Sequence, residues 1–454
     1  MARITLDPEQ EEAVQRMVNE PTRAALNASQ YGTGKTVVTV EVGERLGAET
    51  KLIVAPLFTK YSWETTIREQ YPEAVVRFID SRKSGKLALA DLLNGTPGWY
   101  IIGREYFASK QVAAQIAPKS HLIDFLAYDE CARWANYKSR GYAMMKKMKP
   151  GYRMALSATP AANKFSGLFA ITHWLWPKLD GHDSFWAFVK EWCTTEEDYF
   201  AGVQVTGEKN PGKYVEHLPC YIRLEKDFGT PFEDTIEVDL SPRERAIYDK
   251  FEKYLIVWLQ ENPLVAKFPI VKRIRLRQMT LGEVSIDPET DEVYFDRNMK
   301  STKYDTLLAY IQEHPGEPMV IFTDSAKYAH VVAYKLIEDG YKALPWAGDV
   351  DEDVRHAMKD AFVGGELDFI VATIASIGEG VDGLQRRART MVWLSRSDNN
   401  MLNMQAFRRL YRRGQERQVI SIDIVARNTY DSGQLSNLIE QALRMNRSLK
   451  LEKV

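Results

Sequence analysis

The spacing of apolar and polar positions changes along the chain between helical and strand-like patterns. Near the start, apolar residues at positions 13, 14, 17 and 18 share one face of a helix that begins after Asp7, with Gln10 as its capping-box residue. Short apolar runs then alternate with helical segments, which is typical of a parallel sheet covered by helices. This series predicts strands at 23–28, 52–55, 75–79, 99–102, 125–128 and 154–156, and helices at 35–46, 63–70 and 87–93.

A second series of the same kind begins at residue 319. It predicts strands at 319–322, near 343, and at 368–372, 390–394 and 419–425, with helices at 325–338, 351–362 and 403–413. Between the two series we expect helices with a loose loop near 202–212, an amphipathic helix at 243–262 and a hairpin at 283–296. The predicted fold is α/β, with two parallel-sheet lobes and helical inserts between them. We assign 1–230 to the first lobe, 231–300 to a helical linker with a hairpin, and 301–454 to the second lobe.

Composition narrows the class of protein. The 454 residues are 45% apolar and 27% charged, as in a soluble globular protein with more than one core. No secretion signal is visible, and the longest apolar stretch, 165–176, is too short to span a bilayer. Cys131, Cys193 and Cys220 lie far apart, without the spacing of a zinc site or a disulfide framework, which fits a reducing interior. The net charge of −2 gives no global sign of nucleic-acid binding, so any polyanion surface must be local.

A candidate phosphate-binding loop follows the first predicted strand, where residues 29–36 read SQYGTGKT. Glycines at 32 and 34, on either side of Thr33, let backbone amides close on phosphates. Lys35 would supply positive charge and Thr36 a hydroxyl for Mg²⁺. Ser29 stands where the usual pattern has its first glycine. The alternative is an ordinary glycine turn that enters a helix.

Polar residues end two other predicted strands of the first series. Asp129 and Glu130 follow 125–128, and Ser157, Ala158 and Thr159 follow 154–156. Open α/β sheets place their sites at these carboxyl ends. Asp129 would hold Mg²⁺ through water, and Glu130 would orient and deprotonate the attacking water. The alternative for the acidic pair is a solvated turn.

The predicted helix at 403–413 carries the second candidate group. Gln405, Arg409 and Arg412 are spaced i, i+4 and i+7, so they would share one face. Two arginines there could reach a γ-phosphate across a cleft and stabilise its transition state. A basic solvated face or a nucleic-acid patch is the alternative.

The order of these motifs resembles the Swi/Snf branch of superfamily two helicases over most of the chain. The matching stretches are SQYGTGKT, LIVAP with Trp63, YDECARWANYKSR (128–140), LSATPAANK (156–164), RLRQ (275–278), STK (301–303), MVIFTD, TIASIGEGVDGLQ (373–385) and QAFRRLYRRGQ (405–415). The resemblance implies two RecA-like lobes, ATP with Mg²⁺, and Gln10 at the adenine-reading position. It adds Gly380 and Gln405 to the nucleotide-binding set. Cys131 and Ala132 replace the Ala and His of a DEAH box. In this family that histidine links the ATP site to the LSATPAANK stretch, so the resemblance implies that its replacement affects the efficiency of this coupling.

Family resemblance also implies a duplex held through its phosphates. Candidate contacts by motif position are Thr59, Lys60, Arg104, Thr323 and Thr373. The basic run of Lys272, Arg273, Arg275 and Arg277 either lines the same groove or is a solvated helix face.

We therefore expect a minimal bacterial or viral ATP-dependent motor on double-stranded DNA, cytoplasmic and active as a monomer. Three alternatives remain open. One is a branch-migration or annealing helicase of viral recombination or replication, acting on branched DNA. Another is a nucleotide-gated DNA clamp that hydrolyses ATP slowly. The third is the motor subunit of a restriction or defence complex.

Overall fold

The structure is a computed structural model that describes residues 3–30, 32–161, 164–179, 181–198, 202–226, 228–254, 256–259, 262–265, 269–287, 292–377 and 383–448. The chain divides into two units, Met1–Lys226 with Ala442–Val454, and Asp227–Gln441. The end of the first lobe predicted from the sequence, residue 230, is close to the end of the first segment.

The first part of the chain contains strands β1 (Ala24–Asn27), β2 (Thr50–Ala55), β3 (Val76–Ile79), β4 (Gly98–Gly103), β5 (Phe125–Tyr128), β6 (Tyr152–Leu156), β7 (Cys193–Asp198), β8 (Gly202–Glu208) and β9 (Tyr221–Ile222). All except β7 and β8 pair in parallel in one sheet, in the order β3-β4-β2-β5-β6-β1-β9. Strands β1, β2 and β5 are buried along their whole length. Continuous apolar runs suit strands whose two faces are both covered. The six predicted strands are present, each within two residues of its expected bounds.

The helices of this part are α1 (Pro8–Val18), α2 (Lys35–Arg45), α3 (Lys60–Gln70), α4 (Lys83–Leu93), α5 (Arg104–Phe107), α6 (Lys110–Lys119), α7 (Arg140–Met145), α8 (Leu168–Leu175), α9 (Phe185–Trp192) and α10 (Lys213–His217). Helix α1 begins with the predicted capping box, in which the side chains of Asp7 and Gln10 each accept a hydrogen bond from the other's backbone amide.

The loose loop predicted near 202–212 was wrong over its first half. Residues 202–208 form β8, which pairs antiparallel with β7. Both strands carry β-branched residues, among them Thr194, Thr195, Val203 and Val205, which favour a pleated backbone. The glycines at 202 and 207 are typical of a loop, but the β-branched residues of the two strands outweigh them.

The second part of the chain contains strands β10 (Phe232–Val238), β11 (Ile256–Leu259), β12 (Asn262–Val265), β13 (Ser285–Ile286), β14 (Val293–Tyr294), β15 (Met319–Thr323), β16 (Ala343–Trp346), β17 (Phe369–Thr373), β18 (Thr390–Trp393) and β19 (Ile420–Ala426). Its helices are α11 (Pro242–Tyr254), α12 (Pro269–Thr280), α13 (Thr302–Glu313), α14 (Ala326–Glu338), α15 (Glu352–Gly364), α16 (Ile374–Ile377), α17 (Asn400–Phe407) and α18 (Tyr430–Ser448). Six strands form a parallel sheet in the order β10-β19-β18-β15-β17-β16. Successive residues of β15 contribute to different core clusters, Met319 and Ile321 to one and Val320 and Phe322 to the other.

The structure of the predicted linker, 231–300, differs from the prediction in one strand and one helix and agrees with it in the hairpin. Strand β10 lies within 231–300 but belongs to the second sheet, as an edge strand that is mostly exposed and so carries no buried apolar run. The helix predicted at 243–262 ends at Tyr254, and β11 and β12 pair antiparallel after it. The predicted hairpin is present as β13 and β14.

Candidate nucleotide-binding and DNA-contacting sites

Most of the residues predicted to bind nucleotide lie at the carboxyl edge of the first sheet. The phosphate loop follows β1, Asp129 and Glu130 follow β5, and Ser157 follows β6. Strand β6 pairs with both β1 and β5, so the three loops emerge side by side. This is the edge at which open parallel sheets bind their ligands.

Two glycines shape the phosphate loop. Gly32 and Gly34 have φ angles of 78° and 82°, in the left-handed region that a side chain disfavours. A Cβ on Gly34 would overlap Nε2 of Gln10. Gln10 is buried, and its Nε2 donates to the carbonyl of Thr33 at 2.7 Å. Gln10 thus ties the capped start of α1 to the loop, a contact that the adenine-reading role did not anticipate.

Lys35 and Thr36 are the first two residues of α2, with Gly34 as its N-cap. The ammonium of Lys35 donates to the carbonyls of Ser29 at 2.9 Å and Gln30 at 3.0 Å, so the lysine is folded over the loop. The start of a helix carries a partial positive charge and unpaired amides, which favours an anion there. The loop, Lys35 and the helix start together suit a phosphate chain.

Asp129 lies at the end of β5, within hydrogen-bond reach of a buried indole. Nε1 of Trp63 donates to its Oδ2 at 3.2 Å, and the amide of Glu130 donates to its Oδ1 at 2.9 Å. Burial raises the pKa of Asp129, while the nearby Lys35 ammonium and the Trp63 hydrogen bond act to lower it. The structure therefore brings the predicted metal-binding carboxylate close to the predicted phosphate-binding lysine.

Glu130 has a strained backbone. Its φ is 51° and its ψ is 49°, a left-handed conformation that costs a non-glycine residue about 1–3 kcal/mol. Strain of this kind is concentrated at functional sites. The turn begins a short 3₁₀ helix, Cys131–Trp134, in which Cys131 is fully buried. Burial raises the pKa of this thiol well above its usual value, so it stays protonated.

The segment after β9 contains site residues that sequence reasoning missed. Arg223 donates through Nη1 to the carbonyls of Ala28 and Ala158, the latter at 2.9 Å. Ser29 Oγ accepts a hydrogen bond from the amide of Leu224 at 3.0 Å. The only signal in the sequence was Ser29 itself, the departure from the usual glycine.

The DNA-contact candidates of the first unit lie in the segments that follow strands β2 and β4. Thr59 is the N-cap residue of α3, and its hydroxyl donates to the carbonyl of Pro56 at 2.8 Å. Lys60 holds its ammonium 4.6 Å from the ring centroid of the exposed Tyr61. Arg104 follows β4 and pairs with Glu105 at 2.7 Å. All three follow β2 or β4, at the same carboxyl edge as the phosphate loop.

Thr323 and Thr373 end two neighbouring strands of the second sheet and are direct register partners. Both are buried, and their hydroxyls lie 3.2 Å from Ser395 Oγ and 2.6 Å from Ser376 Oγ, respectively. The structure thus brings these two candidates together, with their hydroxyls already engaged inside the unit.

The helix predicted at 403–413 is shorter than expected. It ends at Phe407, with Arg408 as its C-cap, so Gln405 is helical while Arg409 and Arg412 lie on the turns that follow. The prediction that Gln405, Arg409 and Arg412 share one helical face was therefore wrong. Gln405 is buried and both arginines are half-buried. Gly380 lies outside the described residues.

Two known family models match the parts of the chain that contain these residues. A family model described as the SNF2-related domain matches residues 9–285, which is more than half of the chain, and the helicase conserved C-terminal domain matches 302–414. The chain belongs to the SNF2-related family. The resemblance read from the motifs is confirmed, and this SNF2-related chain is a DNA-dependent ATPase of two parallel-sheet α/β lobes.

Individual relatives of the SNF2-related chain are distant. It is 22% identical to an uncharacterized ATP-dependent helicase, YqhH, of Bacillus subtilis (strain 168), over 96% of this chain and 78% of the relative. It is also 22% identical to a SWI/SNF-related matrix-associated actin-dependent regulator of chromatin, subfamily A member 1, of Mus musculus, over 89% of this chain but 39% of the relative. A solved structure of the Sulfolobus solfataricus SWI2/SNF2 ATPase core in complex with double-stranded DNA matches at a TM-score of 0.45 and 20% identity, over 99% of this chain and 92% of that one. Among the described residues, the structure contains no helix with the length and hydropathy needed to cross a membrane.

Proposed function

We propose that the chain is an ATP-driven translocase on double-stranded DNA. One observation carries this proposal: the phosphate loop, Asp129 and the DNA-contact candidates Thr59, Lys60 and Arg104 all lie at one carboxyl edge of one sheet. The phosphate loop follows β1 and the DNA-contact candidates follow β2 and β4 of the same sheet. A change in the bound nucleotide would therefore reach the DNA contacts through strands β6 and β5, which lie between them. Family membership supports ATP as the fuel.

Within the first unit, Lys35 and Thr36 would bind the phosphates and the metal ion, and Asp129 would hold Mg²⁺ through water. The residues present suit this ion, because Asp129 offers the carboxylate oxygens that Mg²⁺ prefers and the nearby Lys35 favours their ionised form. Bound Mg²⁺ would neutralise charge on the β- and γ-phosphates. Glu130, held by its strained turn, would orient the attacking water and accept its proton.

The second unit would supply the groups that complete hydrolysis. Arg409 and Arg412, half-buried on the turns after α17, would stabilise charge on the γ-phosphate, with Gln405 and Gly380 contributing to nucleotide binding. One chain contains both sets of residues, so a monomer suffices. Lobe closure upon ATP binding and opening after hydrolysis would then shift one lobe along the duplex. We assign this activity to the cytoplasm of a bacterial or virus-infected bacterial cell.

The proposal is tested by steady-state ATP hydrolysis of the purified chain alone and with plain duplex, single-stranded, forked and Holliday-junction DNA at low and high salt. We expect stimulation by plain duplex that weakens as salt rises, since phosphate contacts release counterions. Stimulation by forks or junctions alone would favour the branch-migration alternative. ATP-dependent DNA retention without hydrolysis would favour the clamp, and co-purification with a nuclease would favour the restriction or defence complex.

Variants separate the roles of the two units. Glu130→Gln should abolish duplex-stimulated hydrolysis while leaving ATP binding in place, because the amide cannot take the water's proton. Arg409→Ala should lower kcat by about 10³-fold, the scale of a transition-state arginine. Arg413→Ala is the matched control, since Arg413 is exposed on the next turn along the chain. If Arg409→Ala and Arg413→Ala behave alike, the arginine assignment is wrong.

A further inference from the structure

Residues 220–226 run alongside the strand and loop that begin the nucleotide site. Their backbone pairs with the chain from β1 into the phosphate loop, through hydrogen bonds from the amides of Leu26, Ala28 and Gln30 to the carbonyls of Cys220, Ile222 and Leu224, at 2.9, 2.7 and 2.9 Å. We call residues 220–226 the bracing segment. Its pairing continues past the end of β1, so it supports the loop itself and not only the sheet.

Arg223 extends this support to a second loop. Its Nη1 donates to the carbonyl of Ala28, just before the phosphate loop, and to the carbonyl of Ala158. Ala158 lies in the LSATPAANK stretch (156–164) that follows β6, which we call the third motif. Its Nε donates to Glu225 at 2.9 Å, and its side chain is only 12% exposed. One guanidinium group therefore joins the two loops that flank the nucleotide site on β1 and β6. Buried bonds from a charged donor to carbonyls are stronger than neutral ones.

Ser29 gives the bracing segment a specific partner in the loop. Its hydroxyl oxygen accepts the amide hydrogen of Leu224, and its own amide donates to Asn27 Oδ1 at 3.1 Å. Ser29 is fully buried. A glycine here, as in the usual pattern, would leave the Leu224 amide without this acceptor. The unusual serine is therefore explained by the segment packed beside it.

The far end of the bracing segment reaches the start of α1. Lys226 forms an ion pair with Asp7, the N-cap residue whose helix carries Gln10, and Gln10 in turn holds Thr33. The first unit's main segment ends at Lys226, and the chain soon afterwards enters β10 of the second sheet. The polypeptide thus leaves the first unit through a segment bonded directly to the start of the phosphate loop and connected to Thr33 through Asp7 and Gln10.

We propose that Arg223 is a positioning residue for ATP hydrolysis, which joins the phosphate loop to the third motif so that the two loops move as one body when DNA stimulates the enzyme. This inference rests on the proposed function. Losing Arg223 should leave the phosphate-binding groups of the loop in place but let the third motif shift relative to them. The effect should fall on kcat with duplex DNA rather than on KM for ATP.

The test compares Arg223→Met, Arg223→Lys and wild type in kcat and KM for ATP, with and without saturating duplex. We expect Arg223→Met to lower duplex-stimulated kcat by about 10- to 100-fold, the scale of a displacement near 1 Å, with KM changed less than about threefold. Arg223→Lys keeps a buried cation that can donate to one or both carbonyls, and should recover part of the loss. The matched control is Arg153→Met, because Arg153 also donates to a carbonyl, that of Trp174 at 2.7 Å, from the amino end of β6.

A duplex-stimulated kcat within twofold of wild type in folded Arg223→Met would overturn the inference, as would an equal loss in Arg153→Met. Should Arg223→Met fail to fold, Ser29→Gly tests the same brace, and we expect its stimulated kcat to fall about threefold to tenfold with little change in KM. An unchanged Ser29→Gly would then overturn the inference. A wild-type chain that DNA does not stimulate would contradict the proposed function instead, and the Arg223 comparison would then be read on basal kcat.

Discussion

The side chain of Gln10 donates to the carbonyl of Thr33 over 2.7 Å and occupies the space that a Cβ on residue 34 would need. Gln10 is fixed from its other side, where Oε1 accepts the amide of Asp7 at 3.0 Å. The capping box that begins α1 is therefore continuous with the phosphate loop. A residue predicted to read the adenine base also determines which residue can stand at position 34.

Replacing Gly34 should damage the loop for two separable reasons. Gly34→Ala places a Cβ against Gln10 and also forces alanine into a left-handed conformation, which costs about 1–2 kcal/mol. We expect KM for ATP to rise at least about tenfold, because each 1.4 kcal/mol lost from the bound state is a factor of ten. Steady-state kinetics with varied ATP would measure it.

The double variant Gln10→Ala with Gly34→Ala separates the two causes. Removing the Gln10 side chain relieves the overlap but not the backbone strain, so the two substitutions should be less than additive in ln KM. Strict additivity would mean that Gln10 does not limit residue 34. Gly47→Ala is a control, since Gly47 also has a positive φ, 66°, but has nothing within 4 Å of the position that an alanine methyl would take.

The sequence could predict the strands and the ATP-site motifs of the first unit because both are local. Buried runs such as 125–128 have no polar interruption, and the phosphate loop is one contiguous stretch. The bracing segment could not be predicted in this way. Arg223 lies 195 residues from Ala28 in the chain, and its role depends on the position of β9 beside β1.

The failed predictions have a common physical cause as well. Strand β10 is an exposed edge strand with the pattern FEDTIEV, in which acidic residues replace the apolar run of a buried strand. In the case of α17, periodicity continued past Phe407 although the backbone did not remain helical. Apolar spacing indicates which side chains are buried, and it does not show where the backbone hydrogen bonds end.

Trp63 should adjust the acidity of Asp129. Its indole donates to the Asp129 carboxylate, which favours the ionised form that would bind Mg²⁺. Trp63→Phe removes that donor, so the pKa of Asp129 should rise further. Activity needs the carboxylate and is lost as pH falls through this pKa, so the acid limb of kcat/KM should move to higher pH.

The matched control for this prediction is Trp99→Phe. Trp99 is equally buried, and its Nε1 donates to Glu44 at 2.8 Å from the opposite end of the same sheet. Its acid limb should stay at the wild-type pH. If the limb in Trp63→Phe does not move while protein stability falls, Trp63 acts only as a core residue.

A buried ion pair should stabilise the second unit only while both partners are present. Lys303 and Asp431 pair with side chains 1% and 5% exposed, and Asp431 also accepts from Thr280 Oγ1 at 3.0 Å. Lys303→Met leaves a buried carboxylate without its cation and should cost about 3–5 kcal/mol in the free energy of unfolding. Chemical denaturation measures this cost.

Two further variants test whether burial of the charge causes the loss of stability in Lys303→Met. Adding Asp431→Leu to Lys303→Met should recover a large part of the loss, since no buried charge remains. Lys327→Met breaks the pair with Glu292 at 2.6 Å, in which both side chains are about half exposed or more, and should cost less than about 1 kcal/mol. Equal costs for Lys303→Met and Lys327→Met would contradict this prediction.

A hydrogen-bonded chain centred on His182 lies in the helical region of the first unit. His182 is fully buried, with Nε2 2.7 Å from the Tyr214 hydroxyl and Nδ1 3.1 Å from the carbonyl of Trp176. Thr172 Oγ1 lies 2.5 Å from the same Tyr214 hydroxyl. Burial lowers the pKa of His182 to about 4. The hydrogen bond to the Trp176 carbonyl and the nearby Asp183 act to raise this pKa, while the nearby His173 and His217 lower it further.

This lowered pKa makes the stability of the first unit depend on pH. In the unfolded chain the histidine takes up a proton near pH 6.5, whereas in the folded chain it stays neutral down to about pH 4. The full stabilisation is thus present above pH 6.5, and about 3 kcal/mol is lost as pH falls towards 4. His182→Gln cannot be protonated, so its urea midpoint should fall less than that of wild type between pH 7.5 and pH 4.5. The control is His121→Gln, at an exposed position, whose urea midpoint should fall as much as that of wild type. If the midpoint of His182→Gln falls as much as that of wild type, other groups cause the acid sensitivity.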